Sequence, residues 1–192
     1  MSGAQLARAT MQHAREQFAA NVGTLTLDEA LFTAGGHRSI LGVLKHLGGW
    51  LHVYWSYAFE AAPKHWERTS WPRGLRDEVD TTDGYLREVI AWIDEGLDRW
   101  QQSLTEIGDA DLERLHPLHW RAQAPLADIV VMVAHHVVYH TGELNMLLSV
   151  ARGEAWEYGE EVEENHLSTV GHGVRPRWMS DEEAARFERE HS

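Results

Sequence analysis

The sequence predicts an all-α protein, a four-helix bundle with long crossover connections and an extra C-terminal tail. Four long segments carry apolar residues at positions i, i+3, i+4 and i+7, the spacing of a helix with one buried face. No segment shows a convincing alternation of apolar and polar residues, so strands are not expected to dominate. The connecting segments differ in length, so helices that are consecutive in the chain need not be neighbours in the bundle.

The first helix is expected over residues about 4–21, which contain neither proline nor glycine. Its expected buried residues are Leu6, Met11 and Phe18. The segment from Thr26 to Glu29 is expected to form a turn or to start a short helix. A second long helix would begin after Ser39, whose side chain can cap it, and would end before Pro63.

A long loop and a third helix follow. Residues 63–80 contain two tryptophans and are expected to form a loop of the kind that often covers part of a small helical domain. The third helix would begin after Thr81 or Thr82 and reach about Leu104.

A second long connector precedes the fourth helix. Residues 105–124 could include a short hairpin or an extended arm. Pro125 lies where the first turn of a helix tolerates proline, and Gly153 is a suitable stop signal after about residue 151. The fourth helix is therefore expected between these two residues.

Two regions are predicted along the chain. Residues 1–155 would form the helical bundle, and residues 156–192 would form a C-terminal extension that packs on it. Within the extension, Ser180 and Glu183 have the spacing of a capping box and predict a short last helix.

Composition excludes several classes of function. The 192 residues carry a net charge of −13 without a cluster of Lys and Arg, which argues against nucleic acid as a partner. No apolar run approaches the roughly 18 residues of a membrane-spanning helix, and the N-terminal residues lack an apolar signal segment. The absence of cysteine excludes disulfides, thiolate zinc ligands and a cysteine nucleophile. We expect a cytoplasmic protein with a small-molecule substrate.

Two histidines of the fourth helix lie on its apolar stripe. His136 and His140 are four residues apart, which places them one above the other, about 40° apart around the helix. His135 falls on the opposite side, so the neighbours His135 and His136 cannot chelate one ion. Neutral imidazole is the commonest metal ligand among side chains, and a pair at this spacing could hold a divalent ion.

The second helix offers a third inward-facing histidine. His46 falls on the same stripe as Trp50, whereas His52 falls on the opposite side and is expected to face solvent. Three histidines from two helices suit a metal ion, and three protein ligands leave the open coordination position that catalytic sites keep. The alternative is that each histidine is a core residue hydrogen-bonded to a carbonyl or a carboxylate.

Glu143 is the acidic residue closest to this stripe, one turn from His140 and near the same face. It could be a fourth ligand, a partner that orients a histidine, or a base acting on metal-bound water. It could equally be a carboxylate at the rim of the buried stripe. We take Glu143 as the candidate catalytic residue.

Two motifs resemble those of DinB-like metal-binding proteins. The segment from His136 to Leu144, H-V-V-Y-H-T-G-E-L, resembles the signature H-x-x-x-H-x-G-[QE] of their fourth helix. The segment from Ser39 to Leu47, S-I-L-G-V-L-K-H-L, is similar to their second helix with its single histidine. The resemblance covers residues about 1–155 and does not include the tail.

The resemblance implies a bundle that holds a divalent ion, zinc or nickel, and that is commonly a homodimer. The ligands of that ion would be His46, His136 and His140. Many relatives have glutamine at the position of Glu143.

Several such relatives are thiol-dependent transferases or isomerases that use mycothiol or bacillithiol, and others are assigned as hydrolases. We therefore expect a metal-dependent enzyme acting on a small molecule, either a thiol-dependent S-transferase or a hydrolase. The first would need an external low-molecular-weight thiol such as mycothiol, because the chain has no cysteine. The alternative is a non-catalytic protein that binds or sequesters a small molecule with the metal as an anchor.

Overall fold

The computed structural model describes residues 1–63, 81–118 and 121–153. Within these residues it is mostly helical, which confirms the all-α fold class. Its elements in chain order are α1 (Gly3–Val22), α2 (Leu27–Leu31), α3 (Ile40–Phe59), α4 (Asp83–Thr105), α5 (Asp109–Leu112), β1 (Leu115–Leu118), β2 (Arg121–Pro125) and α6 (Leu126–Arg152). The loop predicted after Pro63 and the predicted C-terminal extension lie outside the described residues.

The four long helices pack side by side, so that each contacts two of the others. Helix α1 packs against α6 and α4, and α3 packs against α4 and α6. Helices α1 and α3 therefore occupy opposite corners of the bundle, and so do α4 and α6. The connections from α1 to α3 and from α4 to α6 pass from corner to corner, in agreement with the predicted crossovers.

The predicted capping residues define where the helices begin and end. The Ser39 side chain accepts a hydrogen bond of 3.1 Å from the Gly42 amide at the start of α3. The Thr82 hydroxyl does the same for the Tyr85 amide at the start of α4, at 3.2 Å. Gly153 ends α6 with a φ of 66°, a left-handed conformation that glycine adopts without strain.

The connector between α4 and α6 contains the hairpin that the sequence allowed. Strands β1 and β2 are antiparallel, with Leu115 opposite Pro125 and His116 opposite Ala124. The register is irregular between His116 and Leu118, where Pro117 has no amide to donate to the ladder. β1 contacts α3 and β2 contacts α6, so the hairpin packs against the two helices that supply the histidines.

Burial on α1 differs from the prediction at one residue. Met11 and Phe18 are fully buried, as expected, but Leu6 is 58% exposed. The buried stripe of α1 starts instead at Ala4 and continues through Met11 and Ala14. Leu6 lies to the side of that stripe, because positions five apart on a helix point in different directions.

The prediction that His52 faces solvent was wrong. Its imidazole is only 7% exposed and stacks on the Trp92 ring, with 4.8 Å between ring centroids. His52 Nε2 donates a hydrogen bond of 2.9 Å to the Trp92 carbonyl oxygen. The prediction came from a helical wheel that assigns one buried stripe to each helix. It fails here because α3 packs against α6 on one side and against α4 on the other.

The described helices include none that is both long and apolar enough to cross a bilayer.

Candidate metal centre

Three histidines converge where α3 packs against α6. His46 comes from α3, and His136 and His140 come from successive turns of α6. One nitrogen of each imidazole can be chosen so that all three lie within 4.8 Å of one another. The rings are 5.3 Å apart between His46 and His136, 4.8 Å between His46 and His140, and 4.5 Å between His136 and His140. Nitrogens grouped this closely can bind one ion in common.

The cluster favours uncharged imidazoles. Burial lowers the pKa of His46 to about 4, with a further contribution from the nearby charges of His140 and Arg38. Burial, followed by the nearby charges of His140, His46 and Arg38, lowers the pKa of His136 to about 4. Burial lowers the pKa of His140 as well, although its hydrogen bond to Glu143 acts in the opposite direction. Neutral imidazoles keep the lone pairs that metal coordination requires.

One nitrogen of the cluster lacks a hydrogen-bond partner. His136 Nε2 is buried and has no partner within hydrogen-bonding distance. Most buried polar groups in native proteins are hydrogen-bonded, so an unpaired buried nitrogen calls for an explanation. A bound ion would provide one, and the donor set of three neutral imidazoles fits a divalent ion.

Glu143 contacts the cluster through His140. His140 Nδ1 donates a hydrogen bond of 2.6 Å to Glu143 Oε2, and the glutamate side chain is 14% exposed. This contact leaves His140 Nε2 as the nitrogen that can bind an ion. A carboxylate in this position fixes the orientation and the tautomer of a ligating histidine. Of the roles that the sequence left open, the structure supports the orienting one, and a catalytic role for Glu143 stays a prediction.

The structure separates the remaining histidines of the two helices from the cluster. His135 is exposed, on the side of α6 that the wheel predicts. His52 lies on the α4 side of α3. The cluster therefore contains the three histidines for which the sequence predicted an inward orientation, and their role as metal ligands stays a prediction.

Sequence analysis missed Arg38, which lies beside the cluster. Its positive charge contributes to the lowered pKa of all three histidines. A signal was present, because Arg38, Gly42 and His46 are spaced by four residues. It was not recognised because Arg38 precedes the cap residue Ser39 and so lies outside the helix that the wheel described.

Fold and site together define a class of protein, the four-helix bundle with a three-histidine cluster between two of its helices. The sequence profile described as the DinB superfamily matches residues 10–144, which include the whole cluster. The chain therefore belongs to the DinB superfamily, as its two motifs suggested. Among curated proteins, none matches the chain.

A solved structure supports the same fold. The crystal structure of a conserved protein from Enterococcus faecalis is similar to this chain with a TM-score of 0.57. The similarity covers 80% of this chain and 99% of that protein, at 16% sequence identity. At this identity the likeness concerns the fold alone.

Proposed function

We propose that the protein is a divalent-metal-dependent enzyme that acts on a small molecule at the three-histidine cluster. The observation that carries the proposal is the grouping of one nitrogen from each of the three imidazoles within 4.8 Å, in a cluster where His136 Nε2 is buried without a hydrogen-bond partner. Three protein ligands leave at least one coordination position for a substrate or a solvent molecule, which is the pattern of catalytic rather than structural sites.

His46, His136 and His140 would hold a zinc or nickel ion. Such an ion lowers the pKa of a thiol or a water beside it and so supplies a nucleophile at neutral pH. Glu143 keeps the His140 ring in place through its Oε2 atom. We assign the carboxylate of Glu143 a second role, as the acceptor of the proton that the nucleophile loses.

The nucleophile decides the reaction class. A thiol would make the protein an S-transferase, and a water would make it a hydrolase. The chain contains no cysteine, so a transferase would require an external low-molecular-weight thiol such as mycothiol. Both routes use the same cluster, so one set of variants tests both.

Metal content is the first test. Protein purified without a polyhistidine tag is expected to contain about one divalent ion per chain, measured by elemental analysis. His46→Ala should lose the ion, because it removes one of three ligands. Glu143→Gln should bind the ion about 10- to 100-fold more weakly, because it changes only the group that orients His140. His135→Ala is the matched control and should keep the wild-type metal content, since His135 is exposed on the other side of α6.

Activity is the second part of the same test. The loaded wild-type protein is assayed with electrophilic substrates in the presence and absence of a thiol. Turnover that needs the thiol supports the transferase, and turnover without it supports the hydrolase. A protein that purifies without stoichiometric metal would contradict the proposal. Stoichiometric metal without turnover in either assay would instead favour the non-catalytic, metal-anchored binding protein.

The homodimer implied by the family resemblance is also a proposal. It is supported by an exposed apolar face of α6 that includes Val131, Val138, Tyr139 and Met146. Exposed apolar patches of this kind often mark protein interfaces. Sedimentation equilibrium should give twice the chain mass of 21.9 kDa, and a mass of one chain would contradict it.

A further inference from the structure

Arg38 precedes a row of residues along α3. Positions 42, 46, 50 and 54 are each four apart, so they follow one side of the helix, and Arg38 comes just before the cap residue Ser39. His46 is in the middle of the row. Beyond it, the rings of Trp50 and Tyr54 stack with 5.0 Å between centroids, and Trp50 meets His46 edge-on at 6.3 Å. On the other side of His46 lie Gly42 and Arg38, so this side of the cluster is polar.

Gly42 leaves room for the stem of Arg38. A Cβ atom placed on Gly42 would lie 3.3 Å from Arg38 Cβ and 3.6 Å from Arg38 Cγ. The stem of Arg38 therefore lies against Gly42, one turn before His46. An arginine side chain is long enough to span one helical turn of about 5.4 Å, so the guanidinium can reach the turn that holds His46.

Within the described part of the chain, no ion pair includes Arg38. The four ion pairs there are Arg15–Asp98, Arg99–Glu95, Arg114–Asp111 and Arg152–Glu29. Glu143, the acidic residue of the cluster, is engaged by His140 instead. An exposed arginine is usually solvated and needs no partner, but this one stands beside a group of ligands suited to a cation. Like charges at short distance repel, so Arg38 opposes metal binding unless an anion offsets it.

We propose that the ligand of this site carries an anionic oxygen group, which Arg38 binds while the other end of the ligand reaches the three histidines. The inference rests on the metal-dependent function proposed above and names its substrate class. Arginine suits this task because its guanidinium binds carboxylates and tetrahedral oxyanions in two-point contacts. The N-terminus of α3, which begins at Ile40, adds a favourable dipole for the same charge.

Thiol binding to the cobalt(II)-loaded protein tests the inference without a known substrate. Binding of a thiolate to cobalt is followed by its charge-transfer absorption. The probes are 3-mercaptopropionate, 2-mercaptoethanesulfonate and the neutral 2-mercaptoethanol. The wild type should bind at least one of the two anionic thiols about tenfold more tightly than the neutral one, the effect of one hydrogen-bonded charge. The tighter of the two identifies the group as a planar carboxylate or a tetrahedral oxyanion.

Variants assign the preference to Arg38. Arg38→Gln should bind all three thiols with similar affinity, and Arg38→Lys should keep part of the preference. Arg99→Gln removes the same charge from the surface of α4 and should retain the full preference. Equal binding of charged and neutral thiols by the wild type, or an unchanged preference in Arg38→Gln, would overturn the inference and leave the proposed metal function intact. A protein that takes up no cobalt, or a cobalt spectrum that no thiol changes, would instead contradict the proposed function and the inference with it.

Discussion

Replacing His136 by leucine is expected to abolish stabilisation of the protein by metal and to leave the metal-free protein at least as stable as the wild type. The reason lies in His136 Nε2, which is buried without a hydrogen-bond partner. A buried polar group without a partner typically costs 1 to 3 kcal/mol, so an apolar side chain of similar size should gain about 1 kcal/mol in the metal-free state. A histidine that lowers the stability of the metal-free protein is expected where the side chain serves to bind a ligand.

The metal-bound state should show the opposite effect. With free metal at about 100 times the dissociation constant, the wild type should gain about 2.7 kcal/mol of unfolding free energy. His136→Leu removes one of three ligands, so this gain should disappear. Guanidinium unfolding with zinc, and separately with a chelator, measures both quantities on the same two proteins.

The unfolding free energy of the metal-free wild type should also depend on pH in a way that the variant does not share. The pKa of His136 is about 4 in the folded protein, against 6.5 for an unperturbed histidine. Between these values the unfolded chain binds a proton that the folded protein does not, so this histidine makes stability fall as the pH falls from 6.5 towards 4. The variant lacks this loss. Its advantage over the wild type should therefore grow as the pH is lowered through that range.

His13→Leu provides the matched control for this prediction. His13 is an exposed histidine inside α1, so its replacement should change the unfolding free energy by no more than about 0.5 kcal/mol with or without zinc. If His136→Leu instead destabilises the metal-free protein and keeps the zinc effect, His136 is a structural core residue and the ligand assignment fails.

The convergence of the histidines could be expected from the sequence because each lies on an apolar stripe of its own helix. Burial of that stripe turns His46 from α3 and His136 from α6 toward the same core. The same reasoning failed for His52, because α3 is buried on two sides and a wheel with one stripe assigns the second side to solvent. Which face is buried is a property of the whole bundle and is not encoded in the periodicity of one helix.

The contacts around the cluster could not be expected in the same way. The helical wheel placed Glu143 near the apolar stripe of α6 but left its role open. Its hydrogen bond with His140 depends on the rotamers of both side chains, which a wheel does not describe. Arg38 packs on Gly42 from outside the helix, at a place where a side chain on residue 42 would crowd its stem. Both depend on distances of a few ångströms between elements, and helical spacing alone does not define these.

Gly48→Ala is expected to destabilise the protein by about 2 kcal/mol. A Cβ atom at this position would lie 2.5 Å from Trp92 Cζ3 and 2.6 Å from Trp92 Cε3, closer than real carbon atoms approach. The Trp92 ring has little freedom to move, because it stacks on His52, which also bonds the Trp92 carbonyl oxygen. Overpacking of this kind costs up to about 3 kcal/mol, and the better helix propensity of alanine returns about 1 kcal/mol.

The consequence should extend to the metal site. Gly48 lets α3 approach α4 closely, and α3 presents His46 to α6 from the same turn region, two residues earlier in the chain. If the contact with Trp92 forces α3 away from α4, His46 shifts relative to His136 and His140. Metal affinity measured by calorimetry should therefore fall together with the unfolding free energy.

Gly142→Ala separates this packing effect from helix propensity. Gly142 is also inside a long helix, but a Cβ atom there would meet nothing within 4 Å. The same chemical change should therefore stabilise the protein by about 1 kcal/mol, and the two variants should differ by about 3 kcal/mol. Equal effects of the two substitutions would show that α3 and α4 have room to spare at Gly48. A difference in the expected direction would show that the absence of one methyl group sets the position of α3, and with it the position of His46.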